Sequence, residues 1–464
     1  MKKVHKKFGQ SVELHEGQEI LLTIKRIGIN GEGIGYYKKK VVFVPGSIPD
    51  EVVEVLITKV ERGFAEGKIK KIKQRSLHRQ DALCNVYGMC GGCQLQHLAY
   101  SQQLQGKEEI IRDAFAKYTN LENLPLRPII GMDEPISYRN KAQLQVGERD
   151  GDIIAGLYAT DSHRLIETKE CPVQHPHTNE MVRKTVQVLR ELKISPYDEK
   201  KKTGVVRTIV ARVGFETGEK QLTLVTGTDK IPREKELITA LKTKIPGLKG
   251  ISQNVNRDKT SLVFGGKTRT LWGNERINES LGSVKFTLSP RSFFQLNPIQ
   301  TVKLYDTVKE AAALTGKERV VDAYCGVGTI ALWLAPDARE VLGIEVTPEA
   351  VEDAKNNATL SGINNARFFE GKAEDWLPRW VKEGLKPDVV VVDPPRTGCG
   401  KPLLDAVLKT KPARFVYVSC NPSSLARDVA YLGNRYRLEW IQPVDMFPQT
   451  GHVETVVLMS RVEK

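Results

Sequence analysis

The stretch VVDAYCGVGT at residues 320–329 is the part of the sequence that decides the fold. Its apolar start, interrupted by Asp322, predicts a buried strand, and the glycines that follow predict a tight turn into a helix. Gly326 and Gly328 carry no side chain, so a ligand can approach the backbone closely at the N-terminus of that helix. We therefore expect an α/β fold with a ligand site at the carboxyl end of this strand.

An acidic residue completes the predicted ligand site. Glu345 ends the next predicted strand, 23 residues after Asp322, and a carboxylate there can accept hydrogen bonds from both hydroxyls of a ribose. The pattern therefore predicts an adenosine-containing cofactor. The glycine spacing also satisfies the relaxed dinucleotide fingerprint, so a hydride-transfer enzyme is an alternative. The order of the residues, with the aspartate before the glycines, is instead typical of methyltransferases.

The tetrad DPPR at residues 393–396 is a second feature typical of methyltransferases, in particular those that act on bases. It follows the predicted strand 388–392, and its prolines stiffen a loop at the end of that strand. Asp393 at this place can alternatively cap the N-terminus of a helix. From about residue 284 onward strands and helices alternate, which predicts an open, largely parallel sheet with ligands at its carboxyl edge.

Cys420 is the candidate nucleophile. It follows the predicted apolar strand 415–419, and the next two residues, Asn-Pro, force a turn towards a helix. The N-terminus of a helix lowers the pKa of a nearby thiol, although a lone cysteine at a strand end can also be purely structural. Two other cysteines lie near. We expect Cys325 to face the adenosine from the glycine turn, and Cys399 to lie in a flexible TGCG loop that no strand end fixes.

One reaction needs both a thiolate and a base at such a site. Carbon 5 of uracil is a poor nucleophile, but a thiolate that adds to carbon 6 gives carbon 5 carbanion character. After carbon 5 has taken a methyl group, a base must remove its proton so that the thiolate can leave. Glu454, just before an apolar terminal strand, is the candidate base, and His452 is the competing one.

Five motifs occur in one order along the chain, and together they closely resemble the RNA uracil-5-methyltransferase family, which modifies ribosomal and transfer RNA. They are FFQLN at 293–297, DAYCGVG at 322–328, DPPR at 393–396, SCNP at 419–422 and HVET at 452–455. The resemblance implies an enzyme that transfers a methyl group from S-adenosylmethionine to carbon 5 of a uridine in RNA. Methylation of an exocyclic base amine, and an RNA-binding module with an inert methyltransferase fold, are the alternatives.

The resemblance also implies a role for individual residues. Cys420 is expected to be the nucleophile and Glu454 the general base. Cofactor contacts are expected from Gln295, Tyr324, Glu345 and Asp393, in addition to Gly326 and Gly328 of the turn.

The first part of the chain predicts a small, basic, OB-like β-barrel. Its strands are predicted at 19–26, 40–44, 51–60 and 64–72, and the segment GEGIG at 31–35 is predicted to be a turn. Residues 1–80 carry 17 Lys and Arg against 9 Asp and Glu. This concentration of positive charge favours a nucleic acid as partner, with a solubilising segment as the alternative. The unit is similar to the TRAM domain found in the ribosomal-RNA branch of the family.

Four cysteines form a possible metal site. Cys84, Cys90 and Cys93 are clustered, and Cys171 precedes a proline as in some iron–sulfur motifs. Four thiolates can hold a [4Fe-4S] cluster or a structural zinc ion, or the site can hold no metal. The family resemblance implies the cluster, and because methyl transfer needs no redox step, we expect it to be structural.

The expected architecture has three units. They are a TRAM-like RNA-binding barrel at 12–73, a central α+β domain with the cluster at 74–283, and a Rossmann-like S-adenosylmethionine-dependent methyltransferase domain at 284–464. A helix predicted at 100–118 either belongs to the central domain or packs on the catalytic one. By resemblance the RNA is 23S ribosomal RNA, with transfer RNA as the alternative.

No stretch approaches the about 20 consecutive apolar residues that a membrane span needs. The basic first residues are not followed by the apolar region of a secretory signal. We therefore expect a cytoplasmic protein without membrane contact. No feature indicates an obligate protein partner, and we expect a monomer.

Overall fold

The computed structural model describes residues 14–160, 162–260 and 262–462. Its N-terminal part is a closed barrel with the strand order β1-β2-β3-β5-β4. The strands are β1 (Glu19–Ile27), β2 (Gly33–Tyr37), β3 (Lys40–Val44), β4 (Val52–Val60) and β5 (Phe64–Gln74). Buried and exposed residues alternate along β1, so that Ile20, Leu22 and Ile24 fill the interior. The predicted start of this unit, residue 12, lies outside the described residues.

The strand β2 is a place where the prediction from sequence was wrong, because residues 33–35 begin a strand and not a turn. A Cβ on Gly35 would lie 2.6 Å from Cγ of Leu22, and one on Gly33 would lie 2.0 Å from Oγ of Ser47. Both distances are shorter than atoms allow. The glycines therefore serve the close packing of the barrel wall against its interior.

A long helix and a seven-stranded sheet of order β12-β11-β10-β9-β6-β7-β8 follow the barrel. The elements are α1 (Tyr100–Tyr118), β6 (Lys141–Arg149), β7 (Asp152–Tyr158), β8 (Leu165–Glu167), α2 (Pro176–Glu191), β9 (Val206–Val213), β10 (Lys220–Thr226), α3 (Glu234–Lys244), β11 (Leu248–Val255) and β12 (Lys267–Gly273). One face of the sheet packs on α2 and α3 through apolar residues such as Leu144, Ile209 and Leu222. The alternate residues, which include Lys141 and Arg212, face the other side.

A hairpin and a second seven-stranded sheet complete the chain. The elements are β13 (Ile277–Leu281), β14 (Val284–Leu288), α4 (Pro298–Ala312), β15 (Arg319–Ala323), α5 (Thr329–Leu334), β16 (Glu340–Glu345), α6 (Pro348–Leu360), β17 (Ala366–Glu370), α7 (Ala373–Lys382), β18 (Val389–Val392), α8 (Lys401–Thr410), β19 (Arg414–Ser419), α9 (Pro422–Leu432), β20 (Tyr436–Val444) and β21 (Glu454–Arg461). The order is β17-β16-β15-β18-β19-β21-β20. The strands β15 to β19 are parallel to one another. The strand β21 runs antiparallel to both of its neighbours, β19 and β20.

The second sheet is buried on both faces, which explains its sequence. The strand β18 is four valines, all buried, as expected for a parallel strand covered by helices on each side. The helix α1 supplies part of that cover, since Ile111, Ala114 and Phe115 share a core with Leu425 and Val429 of α9. Within the described part of the chain, no helix is both long and apolar enough to cross a membrane.

Candidate active site

The ends of three neighbouring strands bring the predicted catalytic residues together. Asp393 directly follows β18, Cys420 directly follows β19, and Glu454 begins β21. The strands β19 and β21 are antiparallel, and the outermost pair in register is Ser419 with Thr455. The next residues outward are Cys420 and Glu454, which therefore lie opposite each other. The strand order places Asp393 on the other side of Cys420.

The surroundings of the Cys420 thiol are acidic. Burial raises the pKa of Cys420 to about 11, the charges of Glu454 and Asp393 raise it too, and Arg396 opposes them. The expectation that the N-terminus of α9 would lower this pKa was therefore wrong. Burial and two carboxyl groups outweigh the dipole of the helix.

The two carboxyl groups are perturbed as well. Burial and, after it, the charge of Asp393 raise the pKa of Glu454 to about 8 against the opposing charge of Arg396. Burial also raises the pKa of Asp393 to about 7. The thiol and both carboxyl groups cannot all carry negative charge in one buried place, so at neutral pH they share protons. A carboxyl group whose pKa lies close to the working pH is suited to general base catalysis.

Hydrogen bonds hold the segment around Cys420 in place. Asn421 caps α9, because its side-chain oxygen accepts a hydrogen bond from the Ser423 N–H at 3.0 Å. Its side-chain amide donates to the carbonyl of Arg396 at 2.9 Å, and the Ser424 hydroxyl donates to the same carbonyl at 3.1 Å. The loop at 393–396 is thus tied to the residues that follow the thiol.

His452, the competing base, lies at the same edge. Its Nε2 is 3.3 Å from a guanidinium nitrogen of Arg396. Burial first, and then the positive charges of Arg396, Lys107 and Arg139, lower the pKa of His452 to about 4. At neutral pH the imidazole is uncharged and only a weak base, which favours Glu454 for the proton transfer.

The two other cysteines near the site are buried, and the expectation that Cys399 lies in a flexible loop was wrong. Cys399 is buried, and its N–H donates to the Tyr417 hydroxyl at 3.1 Å and to Asp428 at 2.8 Å, so the loop is fixed. Cys325 is also buried, and a Cβ on Gly343 of β16 would lie 2.9 Å from its sulfur. The Cys325 side chain therefore packs onto the sheet beneath the turn.

The glycine turn has the shape that the sequence predicted. Tyr324, Gly326 and Gly328 have φ angles of 67°, 54° and 85°. A Cβ on Gly326 would meet nothing within 4 Å, so the backbone there borders open space. Glu345 reaches back to this turn, because its carboxylate accepts a hydrogen bond from the Gly326 N–H at 3.1 Å. A backbone cradle beside an acidic side chain fits a ribose-containing ligand.

Asp322 is a further acidic group below the turn. It is fully buried, and neither of its carboxyl oxygens has a hydrogen-bond partner in the described residues. Burial raises its pKa well above the usual value, Asp393 and Glu345 add to this, and the nearby Ala331 N–H opposes it. With only the Ala331 N–H near it among the described residues, this buried carboxyl group still has acceptor capacity for a ligand with hydroxyl or ammonium groups.

Gln295 is a predicted cofactor residue that the structure does not connect to the turn. Its side chain makes no hydrogen bond with the described residues. Its carbonyl accepts a hydrogen bond from the Asn140 side chain at 3.0 Å, which ties it to the central sheet. It precedes α4, and Tyr305 of that helix donates to the Thr329 hydroxyl at 2.9 Å, so that α4 lies beside the start of α5.

Comparisons with known proteins agree with this geometry. Residues 266–462 match the family described as tRNA (Uracil-5-)-methyltransferase, and residues 13–70 match the TRAM domain. An uncharacterised RNA methyltransferase of Bacillus cereus is 55% identical over 451 residues, which cover 97% of this chain and 98% of the relative. The chain belongs to the RNA (uracil-5-)-methyltransferase family.

Two further relatives support the assignment to this family. An uncharacterised RNA methyltransferase of Listeria monocytogenes is 50% identical over 456 residues, with 97% of this chain and 99% of the relative covered. The crystal structure of Pyrococcus abyssi tRNA (uracil-54, C5)-methyltransferase in complex with S-adenosyl-L-homocysteine is 29% identical, with a TM-score of 0.75, and covers 95% of this chain and 99% of that chain. The predictions of the fold class, an S-adenosylmethionine-dependent enzyme and an RNA substrate are confirmed.

A buried polar network in this uracil-5-methyltransferase was not predicted from sequence. Lys107 of α1 donates to Asp445 at 2.6 Å, and both side chains are fully buried. Tyr100 donates to the same carboxylate at 2.8 Å. Gln103 and Gln449 exchange two hydrogen bonds of 3.0 Å. The network anchors the segment 445–451, which leads directly to His452 and Glu454. Polar residues at i and i+4 on the buried stripe of α1 were the signal for it.

The four predicted metal-binding cysteines of the methyltransferase lie near one another. Burial raises the pKa of Cys93 to about 12, and Cys171, Cys90 and Cys84 each add to the shift. The Gly92 N–H donates to the sulfur of Cys90 at 3.4 Å. Among the described residues, no three His, Cys, Asp or Glu side chains already stand in an arrangement that could hold a metal ion. The fit to a metal group therefore rests on the donor set, four neighbouring thiols.

Proposed function

We propose that Cys420 is the nucleophile and Glu454 the general base of the methyl transfer, and that the target uridine lies in 23S ribosomal RNA. The observation that supports the catalytic roles is the pairing of Cys420 with Glu454 across the ends of β19 and β21. Asp393 and Arg396 then set the charge of both groups. A nucleophile and a proton acceptor face each other where a flipped base could enter between them.

The mechanism runs in three steps. The Cys420 thiolate adds to carbon 6 of the uracil, and the electron pair of the 5,6 double bond moves to carbon 5 and the carbonyl. S-adenosylmethionine would supply the methyl group that carbon 5 takes, and it would leave as S-adenosylhomocysteine. Glu454 then removes the proton from carbon 5, the double bond forms again, and the carbon–sulfur bond breaks to release the thiolate.

The protonation states of Cys420 and Glu454 limit the rate of this reaction at neutral pH. Because the pKa of Cys420 is raised to about 11 and that of Glu454 to about 8, both groups are mostly protonated at pH 7 in the free enzyme. Arg396 is the cation in the site that lowers both pKa values. Its charge therefore favours the thiolate for the first step and the carboxylate for the last.

The proposed cofactor-binding residues lie at the same edge of the sheet as Cys420. Gly326, Gly328 and Glu345 would hold the adenosine through the cradle and the acidic side chain. Tyr324, at the start of this turn, has a positive φ that turns its side chain out of the strand direction. We expect the remaining cofactor contacts, Asp393 and Gln295, to lie on either side of the space between the bound cofactor and Cys420.

Exchange of Glu454 for glutamine tests the proposed roles. Glu454→Gln keeps the shape of the side chain but cannot take the carbon 5 proton, so the protein should accumulate as a covalent adduct with methylated RNA. Denaturing gel electrophoresis detects this adduct. Cys420→Ala in the same background should form none. Turnover by Glu454→Gln without an adduct would assign the proton transfer to another group such as His452.

The RNA target is proposed from two features outside the catalytic sheet. The basic TRAM domain and the four-cysteine set are those of the ribosomal-RNA branch that the sequence resembles. The structural relative from Pyrococcus abyssi acts on transfer RNA by its name, so transfer RNA is the second candidate. In both cases the barrel at 12–73 and the central unit at 74–283 would hold RNA phosphates, and the unit at 284–464 would perform the reaction.

A deletion strain separates the two targets. Mass spectrometry of RNA digests should show loss of 5-methyluridine from 23S ribosomal RNA and none from transfer RNA. The wild-type gene should restore the modification, and a Cys420→Ala gene should not. Loss from transfer RNA alone would overturn the ribosomal assignment and leave the chemistry intact.

The four thiols are proposed to hold a structural [4Fe-4S] cluster. Cys84, Cys90, Cys93 and Cys171 would be its ligands, and it would supply a covalent crosslink between the segment at 84–93 and the start of α2. The Gly92 N–H, which already donates to Cys90, is the kind of contact that stabilises cluster sulfur. Zinc is the alternative for four thiolates.

Anaerobic purification tests the cluster. The protein should show broad visible absorbance and contain iron but no zinc. Cys171→Ser should lose both signals, whereas Cys399→Ala should keep them, because Cys399 is buried and hydrogen-bonded elsewhere. Colourless protein that contains zinc would replace the cluster by a zinc site.

A further inference from the structure

Three cations meet at the start of β6 without a matching anion. In the register of β6 and β9, Lys141 lies directly opposite Arg212. Arg139 is two residues before Lys141, and its charge acts on Lys141. Like charges opposite each other on neighbouring strands are destabilising. The arrangement therefore calls for something that compensates the charge.

For Lys141 and Arg139 the described residues supply no such compensation. Arg212 is buried, and its guanidinium group donates hydrogen bonds to the carbonyls of Ser289 and Ser292, at 2.9 and 2.6 Å. The side chains of Lys141 and Arg139 make no hydrogen bond or ion pair in the described part of the chain, and Nε of Arg139 is buried without a partner.

The one carboxylate that acts on this group is already engaged. Glu279 stabilises the charge of Arg212, but it accepts hydrogen bonds from the N–H groups of Phe215, Glu216 and Ser280. The charges that act on Lys141 are those of cations, since burial first and then Arg212 and Arg139 lower its pKa to about 7. An unpaired lysine side chain in such a place can donate hydrogen bonds to an anionic ligand, and the ligand's charge would favour the protonated lysine.

The cation group borders the candidate active site. Asn140, between Arg139 and Lys141, donates its N–H to the Leu296 carbonyl and its side-chain amide to the Gln295 carbonyl, both at 3.0 Å. The neighbouring Tyr138 donates to the Pro448 carbonyl at 2.9 Å. Residues 138–141 thus lie between two segments of the site, and the charge of Arg139 reaches His452.

We propose that Lys141 and Arg139, backed by the charge of Arg212, bind a phosphate of the RNA beside the target uridine. This inference rests on the proposed function, because it places the flipped base at Cys420. An enzyme that extrudes a base must hold the backbone on each side of it, and phosphates are the anions that RNA offers there. The exposed ring of Phe293, 67% accessible, stands near the same segment and offers a stacking surface.

The test is the salt dependence of RNA binding by Lys141→Gln. The probe is a labelled fragment of the RNA from which the deletion strain loses 5-methyluridine. Loss of one phosphate contact should weaken binding and reduce the slope of log affinity against log salt by about 0.7. Lys141→Arg should restore the slope. Lys235→Gln, on α3 and on the opposite face of the same sheet, should bind like the wild type.

Two further readouts separate this proposal from others. Lys141→Gln relieves repulsion among cations, so its thermal midpoint without RNA should not fall, which excludes unfolding as the cause of weak binding. Its affinity for S-adenosylhomocysteine should be unchanged. An unchanged salt slope, or a loss of cofactor affinity with normal RNA binding, would overturn the phosphate site. Because binding is measured without turnover, a failure of the catalytic proposal appears separately, as a missing adduct in Glu454→Gln.

Discussion

The methyltransferase contains two sets of cysteines whose surroundings differ. Cys420 stands at a strand end with Glu454, Asp393 and Arg396 around it. In the central unit, the titratable groups that act on Cys93 are the other cysteines of the set, Cys171, Cys90 and Cys84. Burial is the first cause of a raised pKa in both places, to about 11 for Cys420 and to about 12 for Cys93.

The comparison shows that the neighbours of a thiol, and not its own pKa, distinguish a nucleophile from a metal ligand. A thiol beside a proton acceptor and a cation can be deprotonated, add to a substrate and be expelled again. Thiols that have only other thiols nearby release their protons to solvent when a metal ion binds, and the metal takes the place of the missing cation. The predictions below test this comparison, from the largest expected effect to the smallest.

The largest effect is expected for Cys420→Ala. Removal of a nucleophile lowers the rate by on the order of 10⁴-fold or more, so 5-methyluridine formation should become undetectable in a standard assay. Cofactor binding, measured by calorimetry with S-adenosylhomocysteine, should remain. A variant that still methylates its RNA at more than a few per cent of the wild-type rate would show that the thiol beside Glu454 is not the nucleophile.

The buried polar network of Lys107 with Asp445 and of Gln103 with Gln449 connects the two cysteine regions. The substitution Lys107→Met should disrupt this connection. The methionine fills a similar volume but leaves Asp445 buried without its ion pair, which typically costs about 3–5 kcal/mol. Chemical denaturation should show this loss. Since Gln94 and Leu95, next to Cys93, both donate to the Gln449 carbonyl, the variant should also lose metal more readily.

The matched control for Lys107→Met is the double variant Lys107→Met with Asp445→Asn. It removes the unpaired charge and keeps a hydrogen-bonding group for Tyr100, so much of the stability should return. If the single variant unfolds at the wild-type denaturant concentration, the buried pair contributes nothing, and the two regions are coupled by other contacts.

How much of this could be predicted from sequence depended on the distance along the chain. The helix Tyr100–Tyr118 and the strand Arg319–Ala323 have the predicted bounds, because apolar periodicity and a glycine turn are local signals. The pair Lys107–Asp445 spans 338 residues, and no local pattern shows a partner that far away. The thiol pKa of Cys420 was predicted in the wrong direction because burial and Glu454 come from the tertiary structure.

An intermediate effect is expected for Arg396→Gln, and it concerns pH. Arg396 lowers the pKa of Glu454, which burial raises to about 8. A base must be a carboxylate and the nucleophile a thiolate, so kcat/KM of the wild type should rise with pH through about 8 and continue to rise towards about 11. Without Arg396 this pKa increases and the rising limb moves to higher pH. The rate at pH 7 then falls by roughly tenfold for every pH unit that the limb moves.

Arg396→Lys separates charge from other roles of this residue. It keeps the positive charge, so its pH profile should stay close to that of the wild type even if RNA affinity falls. A profile of Arg396→Gln that differs only in height, with the limb at the same pH, would mean that Arg396 binds substrate and does not tune the base.

The smallest effect is expected for Cys399→Ala, which changes a thiol that belongs to neither region. Cys399 is buried in the loop behind Cys420, and the contacts that fix this loop come from its backbone N–H, which alanine retains. Loss of the sulfur should cost about 1 kcal/mol of stability, the usual size for a small core truncation, and leave kcat unchanged. Because Cys399 and Cys420 each follow the carboxyl end of a strand of the same sheet, a large fall in kcat would contradict the comparison: that position, and not the pairing with Glu454, would then decide which thiol matters.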